Sequence, residues 1–520
     1  MLTRSRQSSL EKSSKDPVSG KKIWFYYYEI EPHRDGRLIK SVLEPRFWWK
    51  DKADLQTFSP EANLSWYVSH KPYNYDRLWA YDRDIKYIQM INRFQQGYEL
   101  SEKDNLYRNL WFYHKTNIAE LDAYVPTTYS FRLYESTFHV ELQEFARFFL
   151  SEHKGIKPTE VAAVGDDLDA NQKPMKVYHF FNTVLPFGQR EKQFENKKAD
   201  QVKKDPVLYG GKKANLWMIK PAWMRDGEGV EIFNSLDKLD EIISKYFEKL
   251  SKDENQTKLG RDKRSNLQNH SEGLPYGVDR FVIQKYIEKP LLYHGYKFDI
   301  KVLALYTQAR DLYLFSESLV QLAAIPFDLE KLNYYAHMAN PAISSQCSDF
   351  GSVVPGNVMT LKALEEHLAA TFPATGGKAD AKVFKKPELH DQIHKIVTRS
   401  FDATFDIIEK PKRDYNFELF SFDLMMDENL KLWLLEVNSG PSLEGTNEYS
   451  NLFMARMLDD AFKLTIDHHF WKSAGYTRDF VYPVHPLPPF HGNENLWMFF
   501  KSYQTSHPTL HANGSSNPGK

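Results

Sequence analysis

The stretch from Tyr415 to Ser442, YNFELFSFDLMMDENLKLWLLEVNSGPS, sets the tightest limit on what this chain can fold into. Two apolar runs flank the polar cluster Asp427-Glu428-Asn429, the pattern of two antiparallel strands joined by a tight connection. Asp423 stands in the first run. Glu436 and Asn438 stand two residues apart in the second, so their side chains leave one face while Leu435 and Val437 leave the other. A two- or four-residue loop pairs Asp423 with Leu434, which makes Asp423 and Glu436 diagonal neighbours with Cα atoms about 7–8 Å apart. A three-residue loop sends Asp423 to the opposite face. Two carboxylates and an amide oxygen are hard ligands suited to Mg²⁺. For the hairpin alone, the alternative is an edge ribbon whose acids face water. Its acids sit among Phe420, Phe422, Leu432, Trp433 and Leu434, which favours a site, because a desolvated carboxylate needs a partner.

Composition excludes several classes. A chain of 520 residues that is 42% hydrophobic has room for two to four domains. Its 68 Lys and Arg nearly balance 69 Asp and Glu, so no global field points to nucleic acid or to a membrane surface. A lone cysteine, Cys347, makes no intrachain disulfide and fits a reducing compartment. No apolar run reaches the ~18 residues of a membrane span. Residues 1–21 lack an apolar signal core and read as a flexible polar lead. The expectation is a soluble, cytoplasmic protein.

Ordered sequence is expected from Lys22, with an N-terminal domain over 22–120. Ser101 and Asp104 read as a capping box opening a helix whose first turn holds Lys103, an exposed helix lysine by default. Tyr124–Tyr129 reads as a strand entering a central domain (121–290), with a helix around Glu141–Ser151. The lysine-rich stretch 189–213 reads as a solvated loop. NLWMIKPAWMRDGEGVEIF gives strand, turn, strand: Lys220 ends the first strand, and Gly227 and Gly229 supply backbone shapes that can turn N–H groups toward a phosphate. It is not a Walker A loop, since no G-K-[ST] follows, and a bare G-x-G also serves as a structural turn. Leu236–Leu250 reads as helix, and 251–276 as an insertion. A C-terminal domain (291–475) begins with KFDIKV, where Lys297, Asp299 and Lys301 alternate with Phe298, Ile300 and Val302 and share one strand face. Within it, 351–388 has little pattern and reads as a second insertion. Residues 476–520 form a Pro- and His-rich tail.

Five stretches in this order, NLWMIKP with its G-x-G-V, FVIQKYIEKPLL, YKFDIKV, FELFSFDLMMDENLKLWLLEVNSGPSL and the upstream INRF…ELSEKDNLYRNL…YVPTTY, resemble the tubulin tyrosine ligase-like family, a branch of the ATP-grasp ligases. The resemblance implies an α/β (α+β) ATP-grasp fold of N-terminal, central and C-terminal domains, with ATP gripped between the sheets of the last two. By position, Lys103 and Lys220 match phosphate-contacting lysines, and Gln284, Lys285, Tyr286 and Ile287 match the adenine hinge. Lys297 and Asp299 match groups near ribose, phosphate or substrate, Asn340 matches a nucleotide-side asparagine, and Asp423, Glu436 and Asn438 match Mg²⁺ ligands. The implied reaction adds Glu, Gly or Tyr to tubulin or a similar acidic tail through an acyl phosphate. ATP, Mg²⁺, a free amino acid and microtubules are the implied partners. The implied location is the cytoskeleton, including cilium and basal body.

The chain departs from the family at two positions, Lys301 and Gln321, where arginine is usual. Lysine is a point charge and glutamine carries none, whereas arginine forks bind carboxylate or phosphate in bidentate fashion. Ser316 also replaces a basic or bulkier polar residue. A second reading follows: a nucleotide-binding pseudoenzyme acting as a microtubule or axoneme interaction protein.

Overall fold

The computed structural model describes residues 22–54, 62–67, 89–132, 215–243, 280–373, 382–410, 415–473 and 482–504, with isolated gaps, together with 13–15, 75 and parts of 142–149. The 189–213 loop, the 251–276 insertion and the extreme C-terminal residues lie outside the described residues. The fold is mixed α/β, and no described helix is long and apolar enough to cross a membrane.

The N-terminal unit is a parallel sheet with the spatial order Trp49–Asp51, Tyr26–Ile30, Leu64–Trp66, Met90–Ile91. Parallel neighbours require crossovers. One is the helix Gly36–Leu43, which buries Ile39, Val42 and Leu43 at helical spacing. Arg46, fully buried just beyond, pairs with Asp459 at 2.8 Å and Asp467 at 2.9 Å and so fastens this unit to the helices Glu448–Leu464 and Ile466–Ser473. Removing one partner would strand a buried charge, at a cost of about 3–5 kcal/mol.

The central sheet is antiparallel, in the order Thr128–Arg132, Arg280–Lys285, Trp217–Pro221, Glu231–Phe233. Phe131, Trp217, Ile219, Phe281 and Ile283 fill the core on one side. Alternation therefore turns Lys220 and Gln284 to the other. The strand expected over Tyr124–Tyr129 begins only at Thr128.

The largest sheet has eight strands built around Tyr296–Tyr306. Phe298, Ile300, Val302 and Ala304 enter one core, with Phe420, Phe422, Leu424 and the helix Lys386–Asp402. Leu303 and Leu305 enter the other, with the helix Glu448–Leu464 and the N-terminal sheet. On that second face, the first half of the strand carries Lys297, Asp299 and Lys301, as alternation predicts. The 351–388 segment, patternless in sequence, holds the strand Val358–Thr360 and the helix Leu361–Thr371, capped by Thr360 Oγ1 accepting from Ala363 N at 2.9 Å.

The hairpin corrects the expected register. Asp427 N donates to Lys431 O at 2.9 Å, leaving Glu428, Asn429 and Leu430 as a three-residue connection, with Leu430 at φ +62°. Straight strands would then send Asp423 to the wrong face. Instead Leu424 pairs with Leu434 while Asp423 pairs with Glu436, and Leu435 is left over as a bulge. Leu434 N donates to Tyr124 O at 2.7 Å. Asp423 and Glu436 are thus directly opposite, not diagonal. The Ser101/Asp104 capping box also does not form. The helix Lys103–Tyr113 starts after Glu102 without a side-chain cap, and Asp104 is held by Arg132 at 3.0 Å and Arg280 at 3.3 Å.

Candidate active site

The strand Glu418–Met426 pairs with both Tyr296–Tyr306 and Leu432–Ser439, which sets Lys301 beside Asp423 and Asp423 beside Glu436 on one face. Lys301 Nζ lies 2.7 Å from Asp423 Oδ1. Asn438 Nδ2 donates to Asp423 Oδ2 at 3.1 Å and to Glu436 Oε1 at 3.0 Å. Lys103, expected to be exposed, has a side chain only 9% accessible; its Nζ stands 3.3 Å from Glu436 Oε2 and donates to Met224 O at 2.8 Å. Lys103 N donates to Ala222 O at 3.1 Å, so the helix start is welded to the end of a central-sheet strand. Lys297 pairs with Asp299 at 3.3 Å.

Electrostatics separate the two hairpin acids. Burial pushes Asp423 up to about 6, with Lys301 opposing and Glu436 adding to the rise. Burial would raise Glu436 too, but Lys103, Lys220, Asn438 and Lys301 outweigh it and hold its carboxyl well below the usual range. Two carboxylates and one amide, in a region where no described group of three or more His, Cys, Asp or Glu gathers, fit a magnesium-type cation that keeps waters and shares phosphate oxygens. Asn438 points its amide NH₂ at the acids. A cation there calls for its Oδ1, which rotation of the amide supplies.

Across the cleft, Lys220 is 6% exposed and donates to Gln284 Oε1 at 2.7 Å; Gln284 Nε2 donates to Thr128 Oγ1 at 3.0 Å. Burial pulls Lys220 down to about 8, opposed by the attraction of Glu436. Beyond Gln284, Lys285 N and Tyr286 N are spent on Thr127 O (2.8 Å) and Leu216 O (3.0 Å), whereas Ile287 makes no backbone hydrogen bond among the described residues. The Lys285 side chain turns to Glu288 at 2.6 Å. Tyr286 OH and His337 Nδ1 stand 2.7 Å apart, and His337 Nε2 donates to Lys331 O at 3.0 Å; burial lowers the imidazole's pKa, which favours a neutral ring whose Nδ1 accepts from the phenol. Leu216, Met218, Ile232, Tyr286, Phe327 and Leu329 form a small apolar cluster here, suited to a flat aromatic ring.

The glycine turn closes on the same region. Gly227 has φ +75°, and a Cβ there would strike Ile343 Cδ1 and approach Met338 Cε to 3.3 Å. Gly229 has φ +68°, and its Cβ would lie 2.8 Å from Pro221 Cγ. Asn340 caps the short helix Pro341–Ser344, accepting from Ala342 N at 2.9 Å. Gln321 pairs with Asp299 across the ladder, on the site face.

Lys103, Lys220, Lys297, Asp299, Lys301, Asp423, Glu436 and Asn438 therefore converge between two sheets. Gln284 joins them through Lys220; Lys285 is turned aside. Sequence reasoning passed over Arg225, Glu288 and the pairing role of His337, because a turn arginine, a lone glutamate and a buried histidine carry no pattern of their own.

A lysine- and carboxylate-lined cleft between two sheets, with an apolar niche at one end, is the kind of site that accepts a polyphosphate together with a divalent cation. The chain belongs to the tubulin-tyrosine ligase family, whose model matches residues 82–473. Relatives include tubulin glycylase 3D of Tetrahymena thermophila, 28% identical over 320 residues, covering 60% of this chain and 26% of that protein. Another is the probable alpha-tubulin polyglutamylase Ttll1 of the same organism, 27% identical over 256 residues (48% and 54%). A third is the human probable tubulin polyglutamylase TTLL2, 30% identical over 240 residues (45% and 32%). The chain spans between about a quarter and about half of these relatives' own lengths.

Proposed function

We propose that the protein is an ATP- and Mg²⁺-dependent ligase that adds Glu, Gly or Tyr to tubulin or a similar acidic protein tail, within an ATP-grasp arrangement. The observation that carries this reading is the gathering of Asp423, Glu436 and Asn438 with Lys297 and Lys301 on one sheet face, with Lys103 and Lys220 brought against them from the other side of the cleft. The apolar cluster around Tyr286 would receive adenine, with Ile287 offering its backbone, and the glycine turn and Lys103, Lys220 and Lys297 would hold phosphates. Asp423, Glu436 and Asn438 would hold Mg²⁺, which neutralises phosphate charge when bound. A substrate carboxylate then attacks the γ-phosphorus, ADP leaves, and the amine of the amino acid displaces phosphate from the acyl phosphate. Catalysis of this kind is positioning and charge stabilisation, and it asks for no side-chain nucleophile. Such an enzyme would work at microtubules, including those of cilia.

Lys301 and Gln321 favour a second reading, a nucleotide-binding pseudoenzyme on microtubules. Incubation with Mg·ATP, tubulin and labelled Glu, Gly or Tyr separates the two. Incorporation of any one label supports the ligase; ATP binding without incorporation of any supports the pseudoenzyme.

A further inference from the structure

The nucleotide and cation roles leave the guanidinium of Arg225 unused. It stands in the glycine turn, just before Asp226, whose φ of +56° swings the chain back. Its Nη2 donates to Ser439 O at 2.7 Å, its single hydrogen bond among the described residues. Other inward arginines are matched to acids: Arg46 to Asp459, Arg93 to Glu418, Arg280 to Glu102, Arg456 to Asp460. An arginine brings five N–H donors in a planar fork, so Arg225, half-buried, keeps most of its donors free of hydrogen bonds to the described residues. Burial, with the charge of Arg93 close by, brings its pKa down to about 10, against the opposing pull of Asp226, Glu418 and Glu436.

Asp226 beside it is exposed, and the two carboxylates deeper in the cleft are already committed. Glu418 accepts from Arg93 at 3.0 Å, from Phe94 N at 2.9 Å and from Ser439 Oγ, while Glu436 faces Lys103 and Asn438. The position is also telling. Ser439 directly follows Asn438, and Met224, the residue before Arg225, holds Lys103 Nζ beside Glu436. Arg225 therefore stands where the acids of the cleft end. The site face of the large sheet offers no guanidinium of its own at the neighbouring positions, which are Lys301 and Gln321. Bidentate recognition of a carboxylate needs one.

We propose that Arg225 is a substrate-carboxylate anchor, its fork closing on a carboxylate of the acidic acceptor polypeptide or of the incoming amino acid. The assignment rests on the ligase reading of the same cleft and deepens it by naming the residue that holds the substrate.

The test uses the full chain with Mg²⁺ and a non-hydrolysable ATP analogue, comparing wild type, Arg225→Gln and Arg225→Lys. A fluorescein-labelled glutamate-rich tubulin-tail peptide is titrated by anisotropy, and free glutamate and glycine by calorimetry. Arg225→Gln should weaken one of these ligands at least tenfold, and Arg225→Lys should weaken it less, since it keeps charge without the fork. Affinity for the ATP analogue should stay within twofold and Tm nearly unchanged. Loss in the peptide arm identifies the acceptor carboxylate, and loss in the calorimetric arm identifies the amino acid. Equal binding of every ligand by wild type and Arg225→Gln, no binding of any by wild type, or a parallel loss of nucleotide affinity would overturn the assignment. The ligase reading fails on a different result, absence of labelled amino acid in tubulin treated with wild-type protein.

Discussion

Asp423 and Glu436 face each other directly across the hairpin, and they do so because Leu435 is left unpaired between Glu436 and Leu434. The bulge absorbs one residue and returns the second strand to the phase that sets both acids and Asn438 on the face of Lys301. A deletion of Leu435 should therefore leave Asp423 opposite Glu436 in a regular ladder. Deletion of Val437 should instead turn Asn438 into the core. Mn²⁺ titration by electron paramagnetic resonance should show cation binding kept within a few-fold in the first variant and lost in the second. Loss of the Leu434–Tyr124 bond should cost the first variant about 1 kcal/mol.

If Asp423 holds a divalent cation as proposed, Lys301 competes with it, because Lys301 Nζ already sits 2.7 Å from Oδ1. Lys301→Met should tighten Mn²⁺ binding by the nucleotide-free protein about tenfold, since a lost ion pair of ~1.4 kcal/mol is one decade in affinity. Unchanged or weaker Mn²⁺ binding would show that Lys301 only scaffolds the site.

Lys220 titrates in an accessible range. Burial lowers it to about 8, so below that pH the folded protein presents a cation to phosphate, and above it a neutral amine. ATP affinity should fall through pH 8, by up to tenfold per unit. Stability should move the other way. Between about 8 and the unfolded value near 10.5 the unfolded chain binds the proton that the folded chain does not, so this group adds stability as pH rises. Lys220→Met should flatten both profiles, as read by calorimetry of nucleotide binding and by Tm.

Period-two alternation made the strand faces readable: it put Lys297, Asp299 and Lys301 together and backed them with Phe298, Ile300 and Val302. Two apolar runs around Asp427-Glu428-Asn429 marked the hairpin strands, and Gly227 and Gly229 marked the turn. Alternation does not say which faces meet, so the approach of Lys103 to Glu436, 333 positions apart, has no local signature. A one-residue bulge has none either, since Leu434 and Leu435 are the same residue type and either phase looks apolar. The Ser101/Asp104 cap failed for a related reason: charged bonds from Arg132 and Arg280 outcompete a local turn for Asp104.

Acyl-phosphate formation is the step on which the ligase account stands. Purified protein incubated with tubulin, Mg·ATP and hydroxylamine in place of an amino acid should release ADP and leave an equal amount of hydroxamate on the tubulin tail. Glu436→Gln should abolish both. Nucleotide bound in the cleft with neither ADP nor hydroxamate formed would contradict the account.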